Sequence, residues 1–171
     1  VSPQFCDREG ALLGPNPRYH GRPSHHPIVA RLAETDTCVG ALLRPGDTAF
    51  GDADAATVGR LVHRIKQSLR PSATLYVRID AAADCTAVLR AICREKALFV
   101  VKARMTPDLC HAVARTGGWR TVDTAADGRP SMQVAEVDFA RKQWTAQGLG
   151  VRVVAVRTKE DSSGKQVFLW P

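Results

Sequence analysis

Apolar positions recur along this chain with periods that change from segment to segment. Ile28 to Leu32 and Cys38 to Leu43 are short apolar runs separated by Glu34-Thr35-Asp36, which predicts two strands joined by a polar turn. Arg44-Pro45-Gly46-Asp47 closes the second run, because Pro and Gly do not continue a paired ladder. Val58, Leu61, Val62, Ile65 and Leu69 then recur at steps of three and four, one apolar stripe of a helix over 52–70 that Pro71 stops. Asp52 and Asp54 lie at its amino end and Arg64, Lys66 and Arg70 toward its carboxyl end, as the helix dipole favours.

The next stretch carries the strongest supersecondary signal. Residues 74–79 predict a strand ending at Asp80, residues 84–96 a helix with Val88, Leu89, Ile92 and Cys93 inward, and residues 98–101 a second, continuously apolar strand. Strand, helix, strand at this spacing is a βαβ unit, so the two strands are expected parallel with a right-handed crossover. Thr106 as N-cap, Pro107 at the first helical position and Gly117-Gly118 at the end delimit a further helix. Beyond Trp119 the pattern alternates at Gln133 to Phe139, Val151 to Val156 and Gln166 to Trp170, between turn-rich stretches, and predicts an antiparallel β region. Residues 1–26, broken by Gly and Pro throughout, read as irregular, with Arg8, Arg18, His20, Arg22, His25 and His26 adding positive charge. They are either a solvated loop or an arm lying near phosphates.

Composition narrows the function classes. Of 171 residues, 44% are hydrophobic and 24% charged, the make-up of an ordinary globular chain rather than a disordered one. Lys and Arg outnumber Asp and Glu by 24 to 17, a net charge of +7, so a polyanion such as nucleic acid is a reasonable partner. No apolar run approaches the roughly 18 residues that span a bilayer. The opening VSPQFCDREG has no apolar core of a signal peptide, and it has no initiator Met, so it need not be the start of a gene product. Cys6, Cys38, Cys85, Cys93 and Cys110 form no CxxC pair and no zinc spacing, and read as reduced thiols of an intracellular protein.

Chemistry is sparse. GxGxxG, Walker A, GxSxG and HExxH are all absent. His25 and His26 are adjacent, so on a strand their rings would point to opposite faces rather than converge on a metal. Asp80 stands out because it ends a buried strand of an α/β sheet, where ligands and catalytic groups collect. Its carboxylate either coordinates Mg²⁺ or Mn²⁺ or caps the turn that follows. Asp84, four residues on, is the better N-cap candidate for the next helix.

Several strings, in order, resemble bacterial insertion-sequence transposases of the DDE type, whose catalytic domain has the ribonuclease H-like fold. They are Glu9-Gly10-Ala11, Gly21-Arg22-Pro23-Ser24-His25-His26-Pro27, Leu43-Arg44-Pro45-Gly46-Asp47-Thr48, then a long helix and the strand Val77-Arg78-Ile79-Asp80. Leu98 to Arg104 resembles the following strand, and Trp119 onward the β-rich insertion before the last catalytic helix. The resemblance implies an α/β fold with a mixed sheet and flanking helices. It divides the chain into a basic irregular arm (1–26), a partial ribonuclease H-like core (27–118) and part of a β-rich insertion (119–171).

It also implies DNA as partner (transposon ends and target), a homodimer for the full-length family protein, and a bacterial cytoplasmic, nucleoid-associated location. Family members hold two divalent metals between two Asp and a Glu, and the metals activate first a water and then a DNA 3′-hydroxyl for attack on a phosphodiester. By motif, Asp80 is the second Asp, with Mg²⁺ or Mn²⁺ as cofactor, and Arg18, Arg22, His25, His26 and Arg44 are the DNA-contact candidates. The family's first Asp would fall just before Val1 and its Glu beyond Pro171. Ala81-Ala82-Ala83 stands where the family usually has a small polar pair and an aromatic. A single carboxylate does not hold two metals, so the chain alone is expected to be inactive. A basic DNA-binding or scaffold module without chemistry is the alternative, and a small-molecule α/β enzyme the third reading.

Overall fold

The computed structural model describes residues 4–5, 11–14, 23–158 and 166–170. Three very short strands come first, β1 (Gln4–Phe5), β2 (Leu12–Leu13) and β3 (Pro23–His25), paired antiparallel in the order β1-β3-β2. The stretch that reads as irregular thus contains strands of two or three residues, too short to leave any periodicity between their Gly and Pro neighbours. β4 (Ile28–Leu32) and β5 (Thr37–Leu42) form the expected hairpin, a two-stranded sheet of its own. The turn before the following helix packs tightly on the first sheet. A Cβ on Gly46 would lie 2.3 Å from Ser24 Oγ and 2.5 Å from both the Leu12 and Ser24 carbonyl oxygens.

A 3₁₀ turn (Asp52–Asp54) leads into α1 (Ala55–Ser68). The βαβ unit follows as expected: β6 (Tyr76–Ile79), α2 (Thr86–Arg94) and β7 (Leu98–Lys102), with β6 and β7 parallel and Val77 opposite Phe99. In α3 (Pro107–Arg115) the Thr106 hydroxyl accepts from the Leu109 N–H, as the capping pattern requires. The rest is β8 (Arg120–Thr124), β9 (Pro130–Val137), the short α4 (Lys142–Ala146), β10 (Arg152–Thr158) and β11 (Gln166–Trp170). Gly128, at a φ of 76°, turns the chain between β8 and β9, where a side chain would be strained.

Six strands make one mixed sheet in the order β6-β7-β11-β10-β9-β8, parallel only between β6 and β7. The change of pattern at Trp119 therefore does not separate two sheets, because β11 inserts beside β7. The register pairs Val153 with Val137 and Ala155 with Ala135, so these four share one face with Phe99 and Val101. That face meets Val88, Leu89 and Ile92 of α2, Leu109 and Val113 of α3, and Trp144 of α4 in a single core. α1 packs beside α2 through Gly59, whose added Cβ would come 3.7 Å from Ala91. The result is α/β, with helices gathered on one face of a mixed sheet.

The strand that ends at Asp80, expected to be buried, lies at the edge of the sheet among the described residues, and its Val77 and Ile79 are half-buried.

Candidate functional site

Two parallel strands carry their carboxyl ends to one side of the molecule, and the candidate site forms there. β6 runs into Asp80, whose backbone leaves the sheet at φ −75° and ψ −176°, and a 3₁₀ turn of Ala81–Ala83 follows. The Asp80 side chain is exposed, and its Oδ1 accepts from the Ala82 N–H at 2.9 Å. Three alanines with no competing side chain let the turn tighten, and Asp80 serves as its cap.

Asp84 does not cap α2. The N-cap there is Cys85, which makes no side-chain capping bond. Asp84 is instead buried, with a side chain at 0% exposure, and accepts from three donors. Arg141 grips it with both guanidinium nitrogens at 2.6 and 2.7 Å, and the Arg104 N–H donates at 2.7 Å. This carboxylate sits too deep for water to satisfy it, so it takes a bidentate arginine in place of a turn N–H. Arg141 also stacks 4.8 Å from the Trp144 ring centre. Arg104 closes the loop, its guanidinium donating to the Ala81 and Ala82 carbonyls at 3.0 Å each. Residues 57 and 20 positions from Asp84 thereby fix the loop that carries Asp80.

Asp52, at the mouth of α1, reaches the same end. Burial pushes the Cys85 thiol above its ordinary value, and the Asp52 carboxylate, accepting from that thiol, adds to the rise. The site thus gathers Asp80, Asp84, Asp52 and Cys85 beside Arg104; Asp80 and Asp52 are exposed and Asp84 is enclosed. Among the described residues no three His, Cys, Asp or Glu side chains converge as metal ligands. The described donors at this end do not fit a divalent metal: Asp84 is committed to Arg141, Asp52 accepts from the Cys85 thiol, and Asp80 caps its own turn.

The other candidates are scattered. Arg18 and Arg22 lie outside the described residues. His25 is half-buried on β3, where its backbone bridges to Pro45. His26 hydrogen-bonds the Thr48 carbonyl through Nδ1 at 3.1 Å. Arg44 takes a structural position that the sequence does not announce. Its guanidinium is buried against Asp54, with Nη1 at 3.0 and 2.9 Å from the two carboxylate oxygens, while Nε donates to the His26 carbonyl at 3.1 Å. A guanidinium so enclosed is not available to a phosphate, and Asp54, read as a helix-start residue, is its counter-ion. Asp54 also accepts from the Gly51 N–H at 3.0 Å.

Four exposed arginines lie on the two packed helices, Arg60 and Arg64 on α1 and Arg90 and Arg94 on α2. Lys66 ties them together by donating to the Glu95 and Lys96 carbonyls at 2.8 and 3.0 Å. The i, i+4 spacing of each Arg pair was visible in the sequence, but the packing that places the two helices side by side was not. No helix among the described residues is long and apolar enough to cross a membrane. No family model matches the chain, and no curated protein matches it.

Proposed function

We propose that this chain is a part of a DDE-type insertion-sequence transposase, from a catalytic domain of the ribonuclease H-like class, and that alone it binds DNA without cutting it. The observation that carries the reading is the position of Asp80, an exposed carboxylate at the carboxyl end of the parallel pair β6 and β7. This is the place where the motif resemblance puts the second catalytic Asp, and where α/β sheets gather reactive groups. In the whole family protein, divalent metals would activate the attacking oxygen. The described residues do not assemble a site for them, so no step runs through a metal here.

What the residues do supply is positioning and charge. The Arg104 and Arg141 brace around Asp84 holds the Asp80 loop in one conformation. The net charge of +7 and the exposed arginines of α1 and α2 attract the DNA backbone without reading its sequence. The reading of a basic DNA-binding module with no chemistry makes the same binding prediction and differs only in assigning Asp80 no ancestral role.

The test is a supercoiled-plasmid assay with Mg²⁺ and Mn²⁺, run beside a filter-binding titration. Salt-sensitive DNA binding with no nicking is expected. Arg60→Gln, Arg64→Gln, Arg90→Gln and Arg94→Gln together should flatten the slope of log K against log salt by about 3 to 4. Metal-dependent cleavage abolished by Asp80→Ala would overturn the claim that the chain alone is inactive, and absence of DNA binding would overturn the proposal.

A further inference from the structure

α1 and α2 lie side by side and run in the same direction. A Cβ added at Gly59 would come 3.7 Å from that of Ala91. One turn on, His63 Nδ1 is 2.8 Å from Glu95 Oε2, and beyond it Lys66 donates to the Glu95 and Lys96 carbonyls. Residue numbers rise together along both helices, so the pair is parallel. Arg60 and Arg64 then stand about 100° and 140° around α1 from Gly59, and Arg90 and Arg94 about 100° and 60° the other way around α2 from Ala91. In a parallel pair these opposite senses point to one side, away from the core that Val62 and Ile92 enter. All four arginines are accordingly exposed.

Along the seam they alternate between the helices in the order Arg90, Arg60, Arg94, Arg64, each about 3 Å beyond the last. Among the described residues none of the four is in an ion pair, and Arg60 donates to the Thr57 hydroxyl at 3.1 Å. Glu95 makes the two ends unequal. It sits about 6 Å beyond Ala91, between the levels of Arg94 and Arg64, with its carboxylate held by the His63 ring. An anion approaching Arg94 and Arg64 meets this negative charge, and one approaching Arg90 and Arg60 is further from it. The Arg60 and Arg90 backbones are about 8–10 Å apart, the spacing of packed helix axes, so both side chains can close on one anion. Among the described residues neither helix exposes a large apolar side chain that would anchor a protein, whereas guanidinium pairs match phosphate oxygens.

We propose that Arg60 and Arg90 form a subsite for one backbone phosphate of a nucleic-acid strand, and that Glu95, positioned by His63, weakens the grip of Arg64 and Arg94 at the other end. This rests on the DNA-binding reading and goes beyond it, because attraction by net charge alone predicts no difference between the two ends.

The test measures binding of a fluorescein-labelled ten-nucleotide oligothymidylate to the full chain by anisotropy at constant low salt, with folding of each variant checked by circular dichroism. Arg60→Gln and Arg90→Gln should each weaken binding at least about tenfold, and Arg64→Gln and Arg94→Gln about threefold or less. Glu95→Gln keeps an oxygen for the His63 N–H and removes the charge. It should tighten binding about threefold or more and bring the four losses within about twofold of one another. Asp108→Asn, the same change of charge on the exposed side of α3, should leave affinity within about twofold. Equal losses at all four arginines, or an asymmetry that survives Glu95→Gln, would overturn the inference and leave DNA binding standing. Tighter binding of polyglutamate of equal charge would also overturn it, by making the seam a dock for acidic protein. No binding of the oligonucleotide by the unaltered chain would overturn it together with the reading it rests on.

Discussion

Asp80 and Asp84 lie one helical turn apart in sequence and differ sharply in what their removal should do. Arg141→Met leaves the Asp84 carboxylate, at 0% exposure, with the Arg104 N–H as its one remaining donor. Breaking a buried pair in this way costs about 3–5 kcal/mol. Because the Arg141 side chain is 21% exposed, water reaches part of the space it vacates, and the lower end applies, about 3 kcal/mol. For a chain of this size, at about 2–4 °C per kcal/mol, the melting temperature should fall by about 6–12 °C. Combining Arg141→Met with Asp84→Ala removes both charges, so the double variant should be more stable than the sum of single losses predicts, by about 1–3 kcal/mol. Asp80→Asn keeps a capping oxygen on an exposed residue and should change stability by less than about 0.5 kcal/mol. Thermal and urea unfolding of the four variants measure all of this. Additive losses, or a larger loss for Asp80→Asn than for Asp84→Ala, would refute the division of roles.

Other expectations follow from single sites. Gly46→Ala forces a methyl to within 2.5 Å of two carbonyl oxygens and should cost about 1–3 kcal/mol in urea unfolding, whereas Gly117→Ala, with nothing within 4 Å, should be neutral within about 0.5 kcal/mol. Hydrogen bonds from Arg152, and then its charge, hold the Glu136 carboxyl below the ordinary glutamate value. With the folded value the lower one, the pair stabilises above the ordinary value and fades as pH falls through the folded one. Arg152→Gln should therefore shallow the acid limb of melting temperature against pH. Burial raises the thiols of Cys85 and Cys93, while Cys38 and Cys110 are exposed. In a Cys6→Ser background, a disulfide reagent at neutral pH should titrate two thiols fast and two slowly, and Cys38→Ser should remove one of the fast pair.

The elements most legible in the sequence were those whose burial has a single period. α1, the βαβ unit and α3 came from stripes and caps that local chemistry dictates, and the hairpin from its polar turn. β1, β2 and β3 were hidden because two or three paired residues carry no periodicity. β8 was hidden because all five of its residues are exposed and it has no apolar face to announce. The Asp80 position was legible from its place at a strand end. The brace around it was not, since Arg104 and Arg141 meet Asp84 only through the fold, and an arginine's sequence neighbours say nothing about a partner 57 residues away. Arg44 misleads for a related reason: a basic residue in a turn reads as solvated, and the burial of Asp54 that captures it is a tertiary property.

Membership in a transposase is tested most directly by the nucleotide sequence on both sides of this reading frame. The account predicts a segment upstream of Val1 that encodes an alternating apolar strand ending in Asp, and one downstream of Pro171 that encodes an amphipathic helix carrying Glu, whether intact or interrupted by stop codons. Flanking DNA that encodes neither, in any frame, would contradict it.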